Sequence, residues 1–418
     1  MDSLETNGEV RQRKDKKYEI SNTSEKDLKT KDEKNKSNGK VIGLIFVSLL
    51  LDLLAFTMIL PLLPSLLDYY DKKEGNSNTI YTWLLHAIQR FQKLTGAPDR
   101  FSSVLFGGAL GSMYSFLQFL TSPIVGSLSD AYGRKPMLLI CLIGIAISHG
   151  LWSYASTFSL FVLARFIGGL SKANVSLSMA VVTDASNEKT RARGMDKRTP
   201  LSLSLSKAID FISPWHLLRF TAVKNLTAHQ NKVLSRLGLI YFIYLFIYSG
   251  LEFTITFLTH HTFGYTAMQQ GKMFLVIGFI MAVLQGGAAR RLSARGAERA
   301  AKLALILTPF SFICVAFAAV QRPPIFSPLV WLWAGLVLFA VSTAFAVSCM
   351  TALATTQAAG AGRGAALGAL RSLGALARAA GPLLASAVYW CSGAATTYTI
   401  GSIVLILPAV MLVKLKTH

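Results

Sequence analysis

The sequence is poor in charge and in cysteine, and each shortage excludes a class of protein. Charged residues make up 15% of its 418 residues and hydrophobic residues 52%, whereas soluble domains carry about 25% charged residues. Negative charge is especially scarce, with 21 Asp and Glu against 42 Lys and Arg. The four cysteines lie within or at the end of apolar runs, where a thiol packs as a small apolar group. An ordinary soluble domain and a disulfide scaffold are therefore excluded.

Sequence patterns of catalysis and of metal binding are also missing. The chain has no nucleotide-binding loop of Walker type, no catalytic-triad spacing and no cluster of metal ligands. Its net charge of +21 is not arranged as a basic patch interleaved with aromatic residues in a soluble domain, so we expect no nucleic-acid partner. We expect a protein that is not an enzyme and holds no cofactor.

Long apolar runs are what the sequence has instead. A transmembrane helix needs about 20 such residues, and without water in the hydrocarbon core the backbone must satisfy its own hydrogen bonds as a helix. The sequence therefore predicts an all-α polytopic membrane protein with about ten transmembrane helices, four and then six. The runs are residues 41–67, 104–125, 137–155, 158–182, 237–258, 273–289, 301–320, 329–353, 365–390 and 397–415.

The domain organisation follows from the same pattern. Residues 1–40 contain eleven Lys or Arg and nine Asp or Glu, which predicts a disordered tail. Residues 41–183 form a helical half with four spans, 184–236 a basic linker, and 237–418 a half with six spans. Short basic loops stay cytoplasmic, which places the tail, the linker and both termini inside. The membrane is the plasma membrane or an intracellular one, including the nuclear envelope.

A polar segment, GSLSDAYGRKP, interrupts the apolar sequence between the second and third runs. We expect its glycines to permit a tight turn, its aspartate to accept hydrogen bonds or pair with an arginine, and its basic residues to anchor the next helix at the lipid headgroups. The order Gly-x-Leu-x-Asp-x-x-Gly-Arg-Lys is more specific than a generic basic loop. Its fixed positions are Gly126, Leu128, Asp130, Gly133, Arg134 and Lys135.

This segment resembles the signature between helices two and three of the major facilitator superfamily of secondary transporters, and it matches every fixed position. A second stretch, LARFIGGLSKANVS, resembles the arginine-bearing motif of helix four through Arg165, Gly168 and Gly169. A third, LRSLGALARAAGPLLAS, is similar to helix eleven of the tetracycline-transporter-like branch. The resemblance implies a bundle that moves small organic solutes by alternating access, with the polar segment as a cytoplasmic latch.

The chain departs from the family pattern after its fourth run. The family has twelve helices in two halves of six, but here NEKTRARGM is followed by DKRTPLSLSLSKAIDFISPWHLLRF. This polar stretch contains Pro200 and Pro214 and is unsuited to spanning. The glycine-proline motif of helix five that is associated with antiporters is missing. We interpret the difference as the loss of helices five and six.

Ionisable side chains within the predicted spans are the candidate functional residues. Such a group costs at least about 2.5–3.5 kcal/mol at the bilayer centre, so it marks function by default. Asp52 lies near the middle of the first span, and Glu252 occupies a comparable place in the second half. We expect Asp52, Arg165 and Glu252 to take part in proton coupling or gating. For Asp52 the alternative is a structural pair between helices.

Three cations are the candidate substrate ligands. Arg165 and Lys172 are seven residues apart on one predicted helix, and Arg378 lies deep in the run of residues 365–390. We expect all three to contact an anionic substrate. For Lys172 the alternative is that its long side chain reaches the lipid headgroups.

These observations and the resemblance together predict a monomeric secondary transporter in the lipid bilayer. Its partners are a small organic anion and protons, and the resemblance favours antiport and export. With no sign of ATP hydrolysis, the energy comes from an ion gradient. The alternative is a transport-inactive chain, lacking helices five and six, that associates with a full-length form or has no function.

Overall fold

The computed structural model describes residues 43–55, 57–75, 79–95, 102–178, 181, 212–221, 223, 226–288, 291–320, 325–358 and 363–415. The chain divides into two compact units, one of residues 1–54 and 178–197 and the other of residues 55–177 and 198–418. In the first unit, residues 43–54 are helical. The predicted tail, 1–40, and residues 184–211 of the predicted linker lie outside the described residues.

The regular structure in the described part of the second unit is helical throughout. We call α1 to α5 the first half and α7 to α12 the second half, and a π-helical turn, Leu284–Ala288, continues α8. The helices are α1 Ile59–Glu74, α2 Ile80–Thr95, α3 Ser102–Tyr132, α4 Arg134–Ser153, α5 Phe158–Ser171, α6 Pro214–Arg219, α7 Ala228–Phe263, α8 Ala267–Val283, α9 Ala294–Ala318, α10 Pro328–Gln357, α11 Arg363–Ser392 and α12 Ala394–Lys414.

Nine helical segments among the described residues are long and apolar enough to cross a membrane, the first of them Gly43–Glu74. Helix α11 is not one of the nine, although its 30 residues exceed the length needed. It carries Arg371 and Arg378 within an alanine- and glycine-rich sequence, which lowers its hydropathy. The predicted all-α multi-pass architecture is confirmed, whereas the nine segments do not establish the predicted number of about ten.

Helix α1 continues past the apolar run that predicts it. The run ends at residue 67, yet the helix extends through the polar sequence DYYDKKE to Glu74. The turn between α4 and α5 holds this extension: the Tyr70 hydroxyl donates to the Ala155 carbonyl at 2.8 Å, and the Phe158 amide donates to the Glu74 carboxylate at 2.8 Å. The last turns of α1 are therefore fixed to the beginning of α5.

Helix α7 begins before its apolar run. Thr227 and Gln230 form a capping box, in which the Thr227 side chain accepts from the Gln230 amide and the Gln230 side chain accepts from the Thr227 amide. This reciprocal bonding satisfies two amides that have no partner inside the helix. Residues 228–236, which the sequence assigns to the linker, are therefore the first turns of a 36-residue helix.

Glycines bring α3, α7 and α11 into close contact. A Cβ atom at Gly250 of α7 would lie 2.5 Å from the Gly381 carbonyl oxygen of α11, and Gly108 of α3 lies directly against Ser386 of α11. The Ser112 hydroxyl of α3 also accepts a hydrogen bond of 3.0 Å from the Leu383 amide of α11. Small residues that admit such approach are typical of helix packing in membranes. These contacts join the first half to the second.

We predict that Gly381→Ala destabilises the protein, because its new methyl group collides with the backbone of α7 at Phe246. Overpacking of this kind costs about 1–3 kcal/mol. Thermal unfolding of the purified protein should occur several degrees lower. Gly278→Ala is the matched control, since no atom lies within 4 Å of its added Cβ. Equal melting temperatures for the two variants would contradict the close contact of α7 with α11.

Candidate functional site

A cavity of about 110 Å³ lies where five helices of both halves meet. Its wall is mainly apolar and aromatic, and it includes three ionisable side chains. Such a lining, apolar with a few convergent polar groups, is typical of a site for a small organic molecule. The lining residues are Ile59, Leu60 and Leu63 of α1; Leu110, Gly111, Tyr114 and Ser115 of α3; Phe161 and Arg165 of α5; Ser249, Glu252 and Phe253 of α7; and Arg378 and Pro382 of α11.

The first ionisable side chain, Arg165, is held against an aromatic ring. Its guanidinium carbon lies 4.1 Å from the centre of the Tyr114 ring, and the side chain is 9% exposed. Gly169, one turn later on α5, lies against the Tyr114 carbonyl, so the two helices approach closely at this level. A desolvated cation over an aromatic face gains about 2 kcal/mol or more. Arg165 is therefore a buried, oriented cation in the cavity wall.

The second ionisable side chain, Glu252, is oriented by its own helix. The Tyr248 hydroxyl, one turn earlier on α7, donates a hydrogen bond of 3.1 Å to its carboxylate. The Tyr248 ring stacks on Phe339 of α10, with ring centres 5.1 Å apart, and on Tyr244, at 5.4 Å. These contacts fix the tyrosine, and the tyrosine fixes the carboxylate at the cavity.

The third, Arg378, differs from Arg165 in its surroundings. Its side chain is exposed and lines the cavity. Within the part of the chain that the structure describes, it forms no hydrogen bond, ion pair or ring contact. A guanidinium presents five N–H donors in a planar fork that matches a carboxylate. Arg378 is therefore the cation with donors available to an anion in the cavity.

Two other predicted site residues require separate description, because Lys172 does not line this cavity and Asp52 belongs to the other unit. Lys172 is buried at the C-terminal end of α5, where its backbone amide donates to the Gly169 carbonyl, and it does not line the cavity. Asp52 belongs to the helical segment of residues 43–54 in the first unit. The structure thus brings together Arg165, Glu252 and Arg378, while the predicted roles of Asp52 and Lys172 stay predictions.

The signature segment is mostly helical. Gly126, Leu128 and Asp130 lie in the last turns of α3, and Arg134 begins α4. The predicted turn at Gly126 is wrong, because Gly126 lies within α3. The chain reverses at Gly133 alone, which has φ 106° and ψ 151°. This conformation is accessible mainly to glycine. Gly126 has open space around it.

Hydrogen bonds of the signature residues fasten this turn from within. The Arg134 guanidinium donates to the Ser129 hydroxyl, and that hydroxyl donates to the Gly126 carbonyl at 2.6 Å. Lys135 is exposed, which suits the predicted headgroup anchor. The side chain of Asp130 lies outside the described residues, so its predicted pairing stays a prediction.

Two aromatic residues of the site were missed by the sequence analysis. Tyr248 has a local signal, since a tyrosine four residues before Glu252 lies on the same face of a helix. Tyr114 has none, because its partner Arg165 is on another helix and only the packing of α3 against α5 brings them together. As for metals, the described residues contain no group of three or more His, Cys, Asp or Glu that could hold one.

We predict that Tyr114→Leu destabilises the protein because the buried Arg165 guanidinium loses the aromatic face that offsets its desolvation. The expected loss is about 2 kcal/mol, seen as a lower midpoint of thermal unfolding. Tyr114→Phe keeps the ring and should unfold within about 1 °C of the parent protein. A Phe variant as unstable as the Leu variant would show that the hydroxyl, and not the ring, supports Arg165.

Comparisons with known proteins identify the family of the chain. Residues 45–195 and 204–382 match the sequence profile of the Major Facilitator Superfamily. The chain is 37% identical to human major facilitator superfamily domain-containing protein 10 over 435 residues, which cover 90% of the chain and 93% of that protein. It is 29% identical to the class H tetracycline resistance protein of Pasteurella multocida over 154 residues, or 37% of the chain and 32% of that protein.

Two solved structures have a similar fold. The crystal structure of the human organic anion transporter MFSD10 (TETRAN) matches with a TM-score of 0.70 and 36% identity, over 90% of the chain and 99% of that structure. A point mutant of the nucleoside transporter NupG matches with a TM-score of 0.54 and 13% identity, over 89% of the chain and 99% of that structure. The second likeness concerns the fold alone.

Proposed function

Because the chain belongs to the Major Facilitator Superfamily, we propose that it carries small organic anions across a membrane by proton-coupled alternating access. The superfamily and its solved relatives are transporters of small solutes in multi-pass form. The proposal of an organic anion as substrate and of proton coupling rests on the cavity, in which Arg378, Glu252 and Arg165 converge among apolar and aromatic side chains. The relative with 36% identity bears the name organic anion transporter.

The proposed anion ligand is Arg378. Its guanidinium lines the cavity and forms no hydrogen bond or close ion pair with a described residue, although its charge acts on the Glu252 carboxylate. An organic carboxylate therefore gains two charge-assisted hydrogen bonds without displacing a hydrogen-bonded protein group. Arg165 supplies positive potential from the opposite half, although its guanidinium lies over Tyr114. Phe161, Phe253 and Leu63 offer apolar surface for the rest of the molecule. The favoured substrate is therefore an amphipathic anion.

The proposed proton carrier in the cavity is Glu252. It shares the cavity with Arg378, so an anion bound to the arginine lies near the carboxylate. Two like charges about 5 Å apart repel by about 3 kcal/mol at an effective dielectric constant of 20. Protonating Glu252 removes this repulsion. A proton on Glu252 and an anion on Arg378 therefore favour each other.

The direction of coupling is a separate proposal. The resemblance to the tetracycline-transporter-like branch favours antiport and export, whereas the charges in the cavity favour joint binding of anion and proton. Antiport moves the proton and the anion in opposite directions, whereas joint binding moves them in the same direction. The direction of the pH gradient that drives anion uptake therefore distinguishes the two. We also propose that both termini are cytoplasmic, since the basic signature turn lies at that face by the distribution of positive charge, and that the transporting unit is the monomer.

We predict that Arg378→Ala lowers gradient-driven uptake of a fluorescent organic anion by at least about tenfold, because charge-assisted hydrogen bonds contribute about 1.5–3 kcal/mol. The assay uses the purified chain in proteoliposomes with an imposed pH gradient. Arg371→Ala is the matched control, an arginine two turns earlier on α11 that does not line the cavity. Equal losses in both variants would contradict the proposed role of Arg378. No flux from a monodisperse parent protein would favour the transport-inactive alternative.

We predict that Glu252→Gln binds the same anion several-fold more tightly and transports it without dependence on the pH gradient. The neutral amide mimics the protonated acid, so the repulsion is removed at every pH. Binding is measured by fluorescence anisotropy in detergent and transport in proteoliposomes. Asp52→Asn is tested in parallel. If only Asp52→Asn loses the dependence on the pH gradient, the proton carrier is Asp52 and not Glu252.

A further inference from the structure

A polar contact between two titratable side chains also joins the two halves, away from the cavity. Asp68 of α1 and His260 of α7 approach to 2.8 Å between Oδ2 and Nε2, and the side chains are 41% and 21% exposed. The other ring nitrogen of His260, Nδ1, lies 3.2 Å from the Tyr265 carbonyl oxygen in the turn between α7 and α8. His260 therefore bridges a carboxylate of the first half and a backbone carbonyl of the second.

The hydrogen-bond partners of His260 determine how many protons the His260 and Asp68 pair must hold. A backbone carbonyl only accepts hydrogen bonds, so it requires a hydrogen on Nδ1. An ionised carboxylate also only accepts, so it requires a hydrogen on Nε2. Neutral histidine carries one of the two. Both contacts are satisfied when the His260 and Asp68 pair holds one additional proton, either on the imidazole or on the carboxyl group.

Movement of the carbonyl does not remove this requirement. Tyr265 follows Gly264, which ends α7 with φ 63°. The Gly264 amide donates to the His260 carbonyl at 3.1 Å, and the Tyr265 amide donates to the Thr259 carbonyl at 3.1 Å. These bonds hold the turn in place. When the additional proton is lost, one ring nitrogen of His260 has no hydrogen. Its lone pair then faces a lone pair of the Asp68 carboxylate or of the Tyr265 carbonyl oxygen, and that contact becomes repulsive.

We propose that His260 and Asp68 form a proton-binding site, separate from the cavity, that closes this face of the bundle when one proton is bound. The site goes beyond the proposed transport function, because it acts on the contact between the halves and not on the substrate. Release of the proton weakens the contact between α1 and α7. The ligand is the proton, and its effect is a shift between closed and open forms of this face.

The position of the site suits such a role. Ser103 of α3 contacts the neighbouring His261 at 3.3 Å, and the signature turn follows Ser129 on the same helix. At 1.5 Å per residue, these two points of α3 are about 39 Å apart, so they lie at opposite faces. The pair therefore lies at the face opposite the signature turn, and by the proposed topology that face is not cytoplasmic.

Few other titratable groups face the pair from the helices packed around it. On α7 the neighbour is His261, whose ring centre is 5.2 Å from that of His260. On α2 the Tyr81 phenol donates to Asp71 of α1 at 2.8 Å, and its pKa is raised by burial and by the carboxylates of Asp71 and Asp68, so it stays neutral. The one charged side chain of α8, Lys272, is exposed. The titratable groups that meet at this contact are therefore His260, Asp68 and the neighbouring His261.

The test measures the opening of this face as the distance between two spin labels, determined by double electron–electron resonance. The labels are attached at Tyr154→Cys, in the turn between α4 and α5, and at Ile325→Cys, between α9 and α10. Both positions are highly exposed, one in each half, and both turns lie at the face of His260. The four native cysteines, Cys141, Cys314, Cys349 and Cys391, are first replaced by serine.

We expect a short distance at pH 5 and a second, longer distance at pH 8, with about a tenfold change in the ratio of closed to open forms. Asp68→Asn should stay closed at both values, because its amide supplies the hydrogen that Nε2 otherwise needs from the proton. His260→Gln should also lose the pH dependence. His261→Gln, the matched control, should keep it.

The proposal is overturned if the distances of the parent protein do not change between the two pH values. It is equally overturned if Asp68→Asn retains the full change, or if His261→Gln abolishes it while His260→Gln does not. Elution of each variant as a single symmetric peak in size-exclusion chromatography verifies folding. The readout needs no substrate, so failure of anion transport leaves its interpretation unaffected.

Discussion

The structure depends on the close approach of α3, α7 and α11. Glycines at Gly108, Gly250 and Gly381 allow these helices to meet backbone to backbone, and Ser112 adds a hydrogen bond between α3 and α11. Without a hydrophobic driving force between helices in lipid, such packing and hydrogen bonding supply the cohesion. It also sets the cavity wall, because the two ionisable residues on α7 and α11 lie close to these crossings.

The two arginines of the cavity show how environment separates similar residues. Arg165 lies over Tyr114, and its charge is stabilised within the protein. Arg378 has an exposed side chain that lines the cavity and forms no hydrogen bond with a described residue. This difference is the reason that we propose Arg378 as the ligand of an incoming anion and Arg165 as a source of positive potential. Glu252 is held by a hydrogen bond from Tyr248, and in the proposed mechanism it provides the opposing charge that links anion binding to protonation.

The sequence predicted much of the fold, because membrane spans depend on local composition, and it predicted the three charges of the cavity, because intramembrane charges are rare and costly. Helix ends were less well predicted: α1 and α7 extend into polar sequence because the α4–α5 turn and a capping box stabilise them. Gly133 and not Gly126 makes the turn after α3, which backbone geometry alone reveals. Contacts between helices had no signal, since Tyr114 and Arg165 are 51 residues apart in sequence.

The central claim is that anion and proton movements are linked through the cavity. The most direct test records both in the same proteoliposomes, with a pH-sensitive dye enclosed and an imposed gradient of organic anion but no initial pH gradient. We expect anion flux to move protons in the parent protein and not in Glu252→Gln, with the sign of the pH change giving the direction of coupling. Anion flux without proton movement in the parent protein would contradict it.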